Sequence, residues 1–377
     1  MRFELTDEQQ QVQEMVRSLA RKTLAPKAAG IDEDSRFPED NLRQLAGLGL
    51  LGMLYPASFG GSEAGAVAYN IALREVAGGC ASTAVGMAVT NMVGEAIWRF
   101  GSEEQRRKYL PGLASYGIGL GAFALTEPGA GSDAGGLATT AVEDGDRYVL
   151  NGSKMFITNG SHAGVTIVMA VTQKDPKRIS AFLVEPGTPG FTVGKPERKM
   201  GLKGSDTVSM SFDDCRIPKR NLLGGLGEGL KIALAALDGG RIGISSQAIG
   251  IAGAALDAAA AYAQDRRQFG QPISGFQAIR WMLADAATGL EAAQLLAYRA
   301  AWMKEQGKPY TREASMAKVF ASEAGNRACQ NAVQVLGGYG YIREYPVERH
   351  LRDIKVTTIY EGTSEIQRIV VSRSLVR

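Results

Sequence analysis

Histidine and cysteine are scarce in these 377 residues, and their scarcity removes whole classes of chemistry. The two histidines, His162 and His350, and the three cysteines, Cys80, Cys215 and Cys329, form no CxxC pair and no metal-ligand spacing. A zinc site, a disulfide framework and a Ser-His triad are therefore poor readings. Charge of one sign is missing too: 42 basic and 39 acidic residues are interspersed, so no basic block marks a nucleic-acid partner. No apolar run approaches the roughly 18 residues that a membrane span needs. The opening MRFELTDEQQ shows neither a signal-peptide core nor a transit segment, and a reducing cytoplasm is the expected setting.

Hydrophobic residues make up 45% and charged residues 21%, the balance of an ordinary folded chain long enough for two or three packed units. Three textures follow one another, and they predict an N-terminal helical domain over 1–119, a middle β domain over 120–225 and a C-terminal helical bundle over 226–377. In the first, Thr6 and Gln9 spell a capping box, and Val12, Met15, Val16 and Leu19 share one helix face. In the second the period changes to two. RYVLNGSKMFITNG (147–160) reads as two strands joined by a tight turn at Asn151-Gly152, and VTIVMAV, ISAFLVEP, FTVGK and TVSMSF follow at short spacing. Closely spaced strands without long helices between them predict an antiparallel barrel or sandwich, not a doubly wound sheet. In the third, 230–264, 276–305 and 312–336 have the length of bundle helices, and a shorter helix follows Gly362.

The many glycines do not spell a nucleotide loop. In EPGAGSDAGG position 134 is alanine, so GxGxxG fails, and no GxxxxGK[ST] occurs. Each remaining motif has a bland and a functional reading. FALTEPGAGSDAGG (123–136) is a tight connector, or a place where Gly129 and Gly131 let backbone approach a ligand beside Thr126 and Ser132. MFITNG (155–160) is a core Phe and a turn, or a flat ring lying on Phe156 with its polar edge at Thr158. In ALDGGRIG (236–243), Gly239 and Gly240 weaken a helix by roughly 0.5–1 kcal/mol each. That calls for close helix packing or a bulky group beside Asp238 and Arg241. DRRQFG (265–270) is a capped helix end or a guanidinium offered to phosphate, and QVLGGYGY (334–341) is another glycine-ended helix. IYEGTSEIQR (359–368) sets Glu361 directly before Gly-Thr-Ser, as a helix-front charge or as a base.

Taken in order, TEPGAGSD, MFITNG, ALDGGRIG, DRRQFG, QVLGGYGY and IYEGTSEIQR resemble the acyl-CoA dehydrogenase family of flavoproteins over essentially the whole chain. GRIGISSQAIGIA and YEGTSEIQRIV look most similar to its short-chain, butyryl-type members. The resemblance implies an acyl-CoA dehydrogenase-like fold: an N-terminal all-α domain, a middle β-barrel or sandwich domain and a C-terminal four-helix bundle. It also implies a homotetramer, one FAD per subunit, an acyl-CoA substrate and an electron-transfer flavoprotein as electron acceptor. By resemblance, Phe123, Leu125, Thr126, Gly131, Ser132, Phe156 and Thr158 meet the flavin side of FAD. Arg266, Gln268, Phe269, Gln277, Gln334 and Gly338 are groups offered to the FAD of a neighbouring subunit, and Thr363 and Glu365 complete the set. Ser132, Asp238, Arg241, Tyr360 and Gly362 resemble substrate contacts.

The same resemblance makes Glu361 the base that takes the Cα proton of the thioester while hydride passes from Cβ to flavin N5. Some family members carry the base at the position matching Gly240, so glycine there and glutamate at 361 assign the role to Glu361. Segment 88–97 would floor the acyl pocket. Asn91 and Glu95 in it either face solvent or, if Asn91 points inward, admit a ring or polar acyl group. The alternatives are a dehydrogenase of alicyclic or dicarboxylic acyl-CoA, an oxygen-reducing acyl-CoA oxidase, and a non-catalytic flavin-bound acyl-CoA binding protein.

Overall fold

The computed structural model describes residues 4–376. Helices come first: α1 (Asp7–Leu19), α2 (Ala25–Glu33), α3 (Glu39–Gly47), α4 (Gly65–Gly79), α5 (Ala81–Phe100) and α6 (Glu103–Ala114). Thr6 caps α1 with the reciprocal Gln9 bond of a capping box, and Ser102 with Gln105 does the same for α6. A π-helical turn over Ala20–Leu24 joins α1 to α2.

The strands β1 (Leu120–Ala124), β2 (Thr140–Asp144), β3 (Arg147–Thr158), β4 (Ala163–Lys174), β5 (Lys177–Val184), β6 (Phe191–Val193), β7 (Thr207–Pro218) and β8 (Leu222–Leu223) form one sheet in the order β6-β7-β3-β2-β4-β5-β8, with β1 also on β4. Its pairs are antiparallel except those of β4 with β1 and β2. Alternation along the strands sorts two faces. Val165, Ile167, Met169 and Leu183 pack with Val93, Ile97 and Leu110 of the helical layer, while Val168, Ala170, Phe182 and Phe212 form a second core on the other face.

The expected hairpin at Asn151-Gly152 is corrected by the structure, because β3 runs unbroken through both residues. Asn151 instead brackets an irregularity of β7, accepting from the Asp214 N–H at 2.8 Å and donating to Asp214 Oδ1 at 3.1 Å. Gly152 lies too close to Thr139 for any side chain, since a Cβ would fall 2.6 Å from Thr139 Oγ1. Asn-Gly therefore serves a ladder irregularity here. The tight turn falls at Gly145-Asp146, where Asp144 pairs with Arg147 and Gly145 takes φ +59°.

The last region holds α7 (Gly229–Asp265), the short strands β9 (Arg267–Gln268) and β10 (Gln271–Pro272), α8 (Gln277–Glu305), α9 (Thr311–Leu336), α10 (Gly338–Tyr341), α11 (Val347–Ile354) and α12 (Ser364–Ser372). Three long helices and the short α12 make up this bundle, as their lengths in the sequence predict. Helix α7 corrects the expectation about apolar runs: by length and composition it could cross a membrane, yet 72% of its apolar window is buried inside the protein. Its alanines 248, 252, 255, 259 and 263 are buried in the core shared with α1, α4, α8 and α9. Helix α11 pins the three regions together: Arg352 reaches Asp32 at 2.6 Å and the Met200 carbonyl at 3.3 Å, and Asp353 accepts from the Leu202 N–H at 2.6 Å.

Candidate active site

A cavity of about 430 Å³ opens where the sheet, α5, α7 and the segment before α12 converge. Ala88, Val89 and Met92 from α5 and Leu230, Leu234 and Leu237 from α7 line its apolar side. Phe123, Leu125, Thr126, Gly131, Ser132, Phe156 and Thr158 line the sheet side, and Arg241, Tyr360, Glu361 and Gly362 close it. Residues more than 230 positions apart in sequence thus share one chamber.

The conformation of 359–364 explains how Glu361 reaches it. Thr363 is the N-cap of α12, accepting from the Ile366 N–H at 3.3 Å. Ahead of the cap, Glu361 and Gly362 take φ +54° and +86° in succession. The bend turns the Glu361 side chain onto α7 at Gly240, where a Cβ would lie 2.8 Å from the carboxyl carbon and from Oε2. Gly240 is therefore the recess that receives the carboxylate. Gly239 has a different occupant, the Lys304–Glu95 ion pair at 2.6 Å, which would meet a Cβ there at 3.1 and 3.3 Å. The glycine pair in ALDGGRIG accommodates side chains rather than a neighbouring helix backbone.

Glu361 Oε2 is buried and has no hydrogen-bond partner among the described residues. Burial pushes its acid up to about 7, against the opposing charges of Arg241 and Lys318. Tyr360, the neighbouring side chain, donates its phenol to Gln247 Oε1. Gln367 fixes the backbone of the bend, donating to the Glu361 and Gly362 carbonyls at 3.0 and 2.9 Å.

Across the cavity Phe156 projects into the open, 62% exposed with φ +60°. It lies where the β3–β7 register slips between Lys154 and Ile157, a bulge that re-aims the side chain. Behind it the 123–136 connector is braced from inside. Lys154, fully buried, donates to Glu127 at 2.8 Å and to the Leu125 carbonyl at 3.1 Å, while Glu127 also accepts from the Ala138 and Thr139 N–H groups. Burial brings the Lys154 ammonium down to about 8, with Glu127 opposing that shift. Neither residue stands out in the sequence, since each is one charge within a motif noticed for its glycines. Lys154→Met is expected to cost about 3–5 kcal/mol, because it leaves a buried carboxylate without its cation. Urea denaturation measures that loss, and adding Glu127→Gln should recover part of it.

Several other expected site residues are not brought to this cavity, and Arg241, which closes it, is already paired within α7. Asn91 is corrected: it neither meets solvent nor lines the chamber. It is fully buried, accepts from the Met53 N–H at 2.8 Å and donates to the Leu50 and Met87 carbonyls at 2.8 and 3.1 Å, tying α5 to the 50–53 loop. Asp238 and Arg241 pair with each other at 2.6 Å, and Arg241 also donates to Ser315. Arg241 is 4% exposed, so it is set beside Glu361 rather than held out to solvent. Arg266, the C-cap of α7, lies over the Tyr339 ring at 5.6 Å. With Gln268, Phe269 and Gly338 it lines a separate, open recess at the α7–α9 end, where Phe269 is 92% exposed. Gln277, Gln334 and Glu365 are exposed, Gln277 opening α8 and Gln334 near the end of α9.

Known proteins match this architecture in all three regions. Residues 6–116, 122–215 and 227–376 fit the models of the N-terminal, middle and C-terminal domains of acyl-CoA dehydrogenase. The chain belongs to the acyl-CoA dehydrogenase family. It is 48% identical to the human mitochondrial short-chain specific acyl-CoA dehydrogenase, over 99% of this chain and 91% of the relative. Butyryl-CoA dehydrogenase from Megasphaera elsdenii superposes with a TM-score of 0.97 at 45% identity, covering 100% of both chains. A chain solved in work on the electron transferring flavoprotein of Acidaminococcus fermentans gives 0.98 at 46% identity, also over 100% of both. As a member of the acyl-CoA dehydrogenase family the protein is an oxidoreductase. Within that family the geometry at Gly240 and Glu361 is the feature on which the functional reading turns.

Proposed function

We propose that the protein is an FAD-dependent dehydrogenase of short-chain acyl-CoA thioesters, with Glu361 as the base. The observation that carries this reading is the Glu361 carboxylate itself. It is seated in the Gly240 recess, faces an apolar chamber, and has one oxygen sealed and unpartnered. A carboxylate so desolvated is a stronger base than one in water, and a pKa near the working pH suits proton transfer. Among the described residues the Glu361 backbone N–H has no protein acceptor, so it is available to the thioester oxygen as charge builds there.

The residues around the chamber fit FAD. Phe156 offers an exposed ring in a conformation its own packing does not explain, with Thr158 two residues along. Gly129 and Gly131 have open space where side chains would go, which leaves room for a ligand close to the backbone. FAD bound here supplies the acceptor for the hydride that leaves Cβ. The exposed Arg266, Gln268, Phe269 and Gly338, far from this chain's own chamber, suit a homotetramer in which they hold the FAD of a neighbouring subunit. An electron-transfer flavoprotein is the expected electron acceptor, in keeping with the relative named above.

The acyl end of the chamber favours short unsubstituted chains. Its walls are Val89, Met92, Leu234 and Leu237, Asn91 is occupied elsewhere, and Glu95 is paired with Lys304. Among the described residues, none of those four walls carries a charge to pair with a distal carboxylate, which disfavours a dicarboxylic acyl-CoA. The test is an anaerobic titration of the yellow protein with butyryl-, isobutyryl-, glutaryl- and cyclohexanecarboxyl-CoA. Butyryl-CoA should bleach the flavin at the lowest concentration, and preferential bleaching by glutaryl-CoA would overturn the substrate reading. Peroxide formed at turnover rates in air would point to an oxidase.

The pH profile is a further check. The active form is the carboxylate, so kcat/KM should rise about tenfold per unit below an apparent pKa of about 7 and level off above it. A profile flat from pH 5 to 9, measured with dye as acceptor, would contradict the assignment.

A further inference from the structure

A glutamate gains nothing by itself from a left-handed backbone, a conformation that costs on the order of 1 kcal/mol or more outside glycine. The surroundings must therefore hold Glu361 in place. Gln367 does part of this from α12. The other part comes from Lys318, two turns into α9, which donates through Nζ to the Gly362 carbonyl at 2.7 Å. Lys318 is fully buried, on a helix whose other buried positions include Ala314, Ser315, Ala317, Ala321 and Ser322. A lysine in such a run has no packing advantage over leucine or methionine, and its burial must be offset by what the ammonium does.

Two cations face the Glu361 carboxylate, and they differ in their own pairing. Arg241 is compensated by Asp238 at 2.6 Å. Lys318 forms no carboxylate ion pair among the described residues; its hydrogen bond is to a neutral carbonyl. We propose that Lys318 is a positioning residue for the base: its ammonium clamps the Gly362 carbonyl and supplies the uncompensated positive charge that holds Glu361 as carboxylate. The inference rests on the reading of Glu361 as base.

The charged and titratable groups around the pair come from five elements. Helix α4 brings Tyr69, α7 brings Arg241 and Asp238, α9 brings Lys318 and Glu323, α12 brings Glu365 and Arg368, and the 359–363 segment brings Tyr360 and Glu361 itself. Arg368 is taken up by Glu323 at 2.8 Å, and Glu365 is exposed. Burial brings the Lys318 ammonium down to about 8, while Glu361 draws it back up. Around pH 7 it still carries its proton, so the charge is present over the range in which Glu361 titrates.

The test uses the FAD-loaded protein and the variants Lys318→Met and Lys318→Gln, the second keeping a donor for the Gly362 carbonyl without the charge. Protonation of Glu361 is read without turnover, from the carboxylic-acid infrared band that is absent in Glu361→Gln. The midpoint of that band should move up by about one pH unit in both variants. Butyryl-CoA turnover should then fall about tenfold at pH 6 and return toward the unsubstituted protein's rate above pH 8. A purely structural role predicts instead a loss that is the same at every pH and is restored by glutamine. An unmoved midpoint in Lys318→Gln overturns the proposal, whether or not Lys318→Met folds. A moved midpoint in protein that dehydrogenates no acyl-CoA upholds the coupling and removes Glu361's role as base.

Discussion

Glu361→Gln should lower turnover of butyryl-CoA by about 10²–10⁴-fold, the range a positioned general base contributes. The amide has the same shape, so acyl-CoA binding should survive, and the loss should fall on kcat rather than KM. Stability should move the other way. The Glu361 acid titrates near 7 in the folded chain against an ordinary value of 4.5. An acid raised in this way opposes folding progressively as pH climbs from 4.5 toward 7, and fully above 7. The variant is spared that penalty, so its thermal midpoint at pH 8 should equal or exceed that of the unsubstituted protein. Lost activity in a more stable protein separates chemistry from misfolding; equal turnover would remove Glu361 from the mechanism.

The second large effect is expected at a residue with no functional group. Gly240→Ala places a methyl where the Glu361 carboxylate lies, 2.8 Å from its Cδ and Oε2. The carboxylate is the movable partner, because the opposing atoms on α7 are helix backbone. Displacing a reacting group by about 1 Å costs on the order of 10²-fold in rate, so kcat should fall by about that much. Alanine is better than glycine inside a helix by about 0.8–1.0 kcal/mol, so α7 itself should not suffer. A Gly240→Ala enzyme with unchanged kcat would show that the recess is wider than the structure makes it. Urea denaturation of the same sample checks that the fold is intact.

Most of the architecture was legible because the signals were long. The capping box at Thr6 and Gln9, the change of period near residue 120 and the three long Ala-rich helices depend on local sequence and came through almost to the residue. Asn151-Gly152 misled because the dipeptide fits both a tight turn and a ladder irregularity, and only the partner strand decides which forms. Asn91 misled for a similar reason. A polar residue in an apolar helix can face water, a ligand or a backbone from another segment, and the 50–53 loop that occupies it lies some forty residues away in sequence.

The chamber was legible in part. The motifs named residues on both of its sides, but nothing in their spacing put Glu361 against Gly240; that came from the resemblance and now has a geometry. Lys318, Gln367, Lys154 and Glu127 were missed, because each acts through a hydrogen bond to backbone or to a distant charge. A buried lysine inside an alanine and serine run was the one local hint. Phe156 and Phe269 were named from the sequence, but their positive φ and exposure were not legible there, since strain of that kind is a property of the folded backbone.

Proton abstraction by Glu361 is tested most directly by hydrogen exchange at Cα. The FAD-loaded protein is incubated in D2O with an acyl-CoA analogue that cannot lose hydride from Cβ, such as a 3-thia-acyl-CoA, and deuterium at Cα is followed by mass spectrometry. The protein should exchange that position, with a rate that rises through pH 7, and Glu361→Gln should leave it unlabelled while still binding the analogue. Deuterium entering at an equal rate in Glu361→Gln would contradict the account.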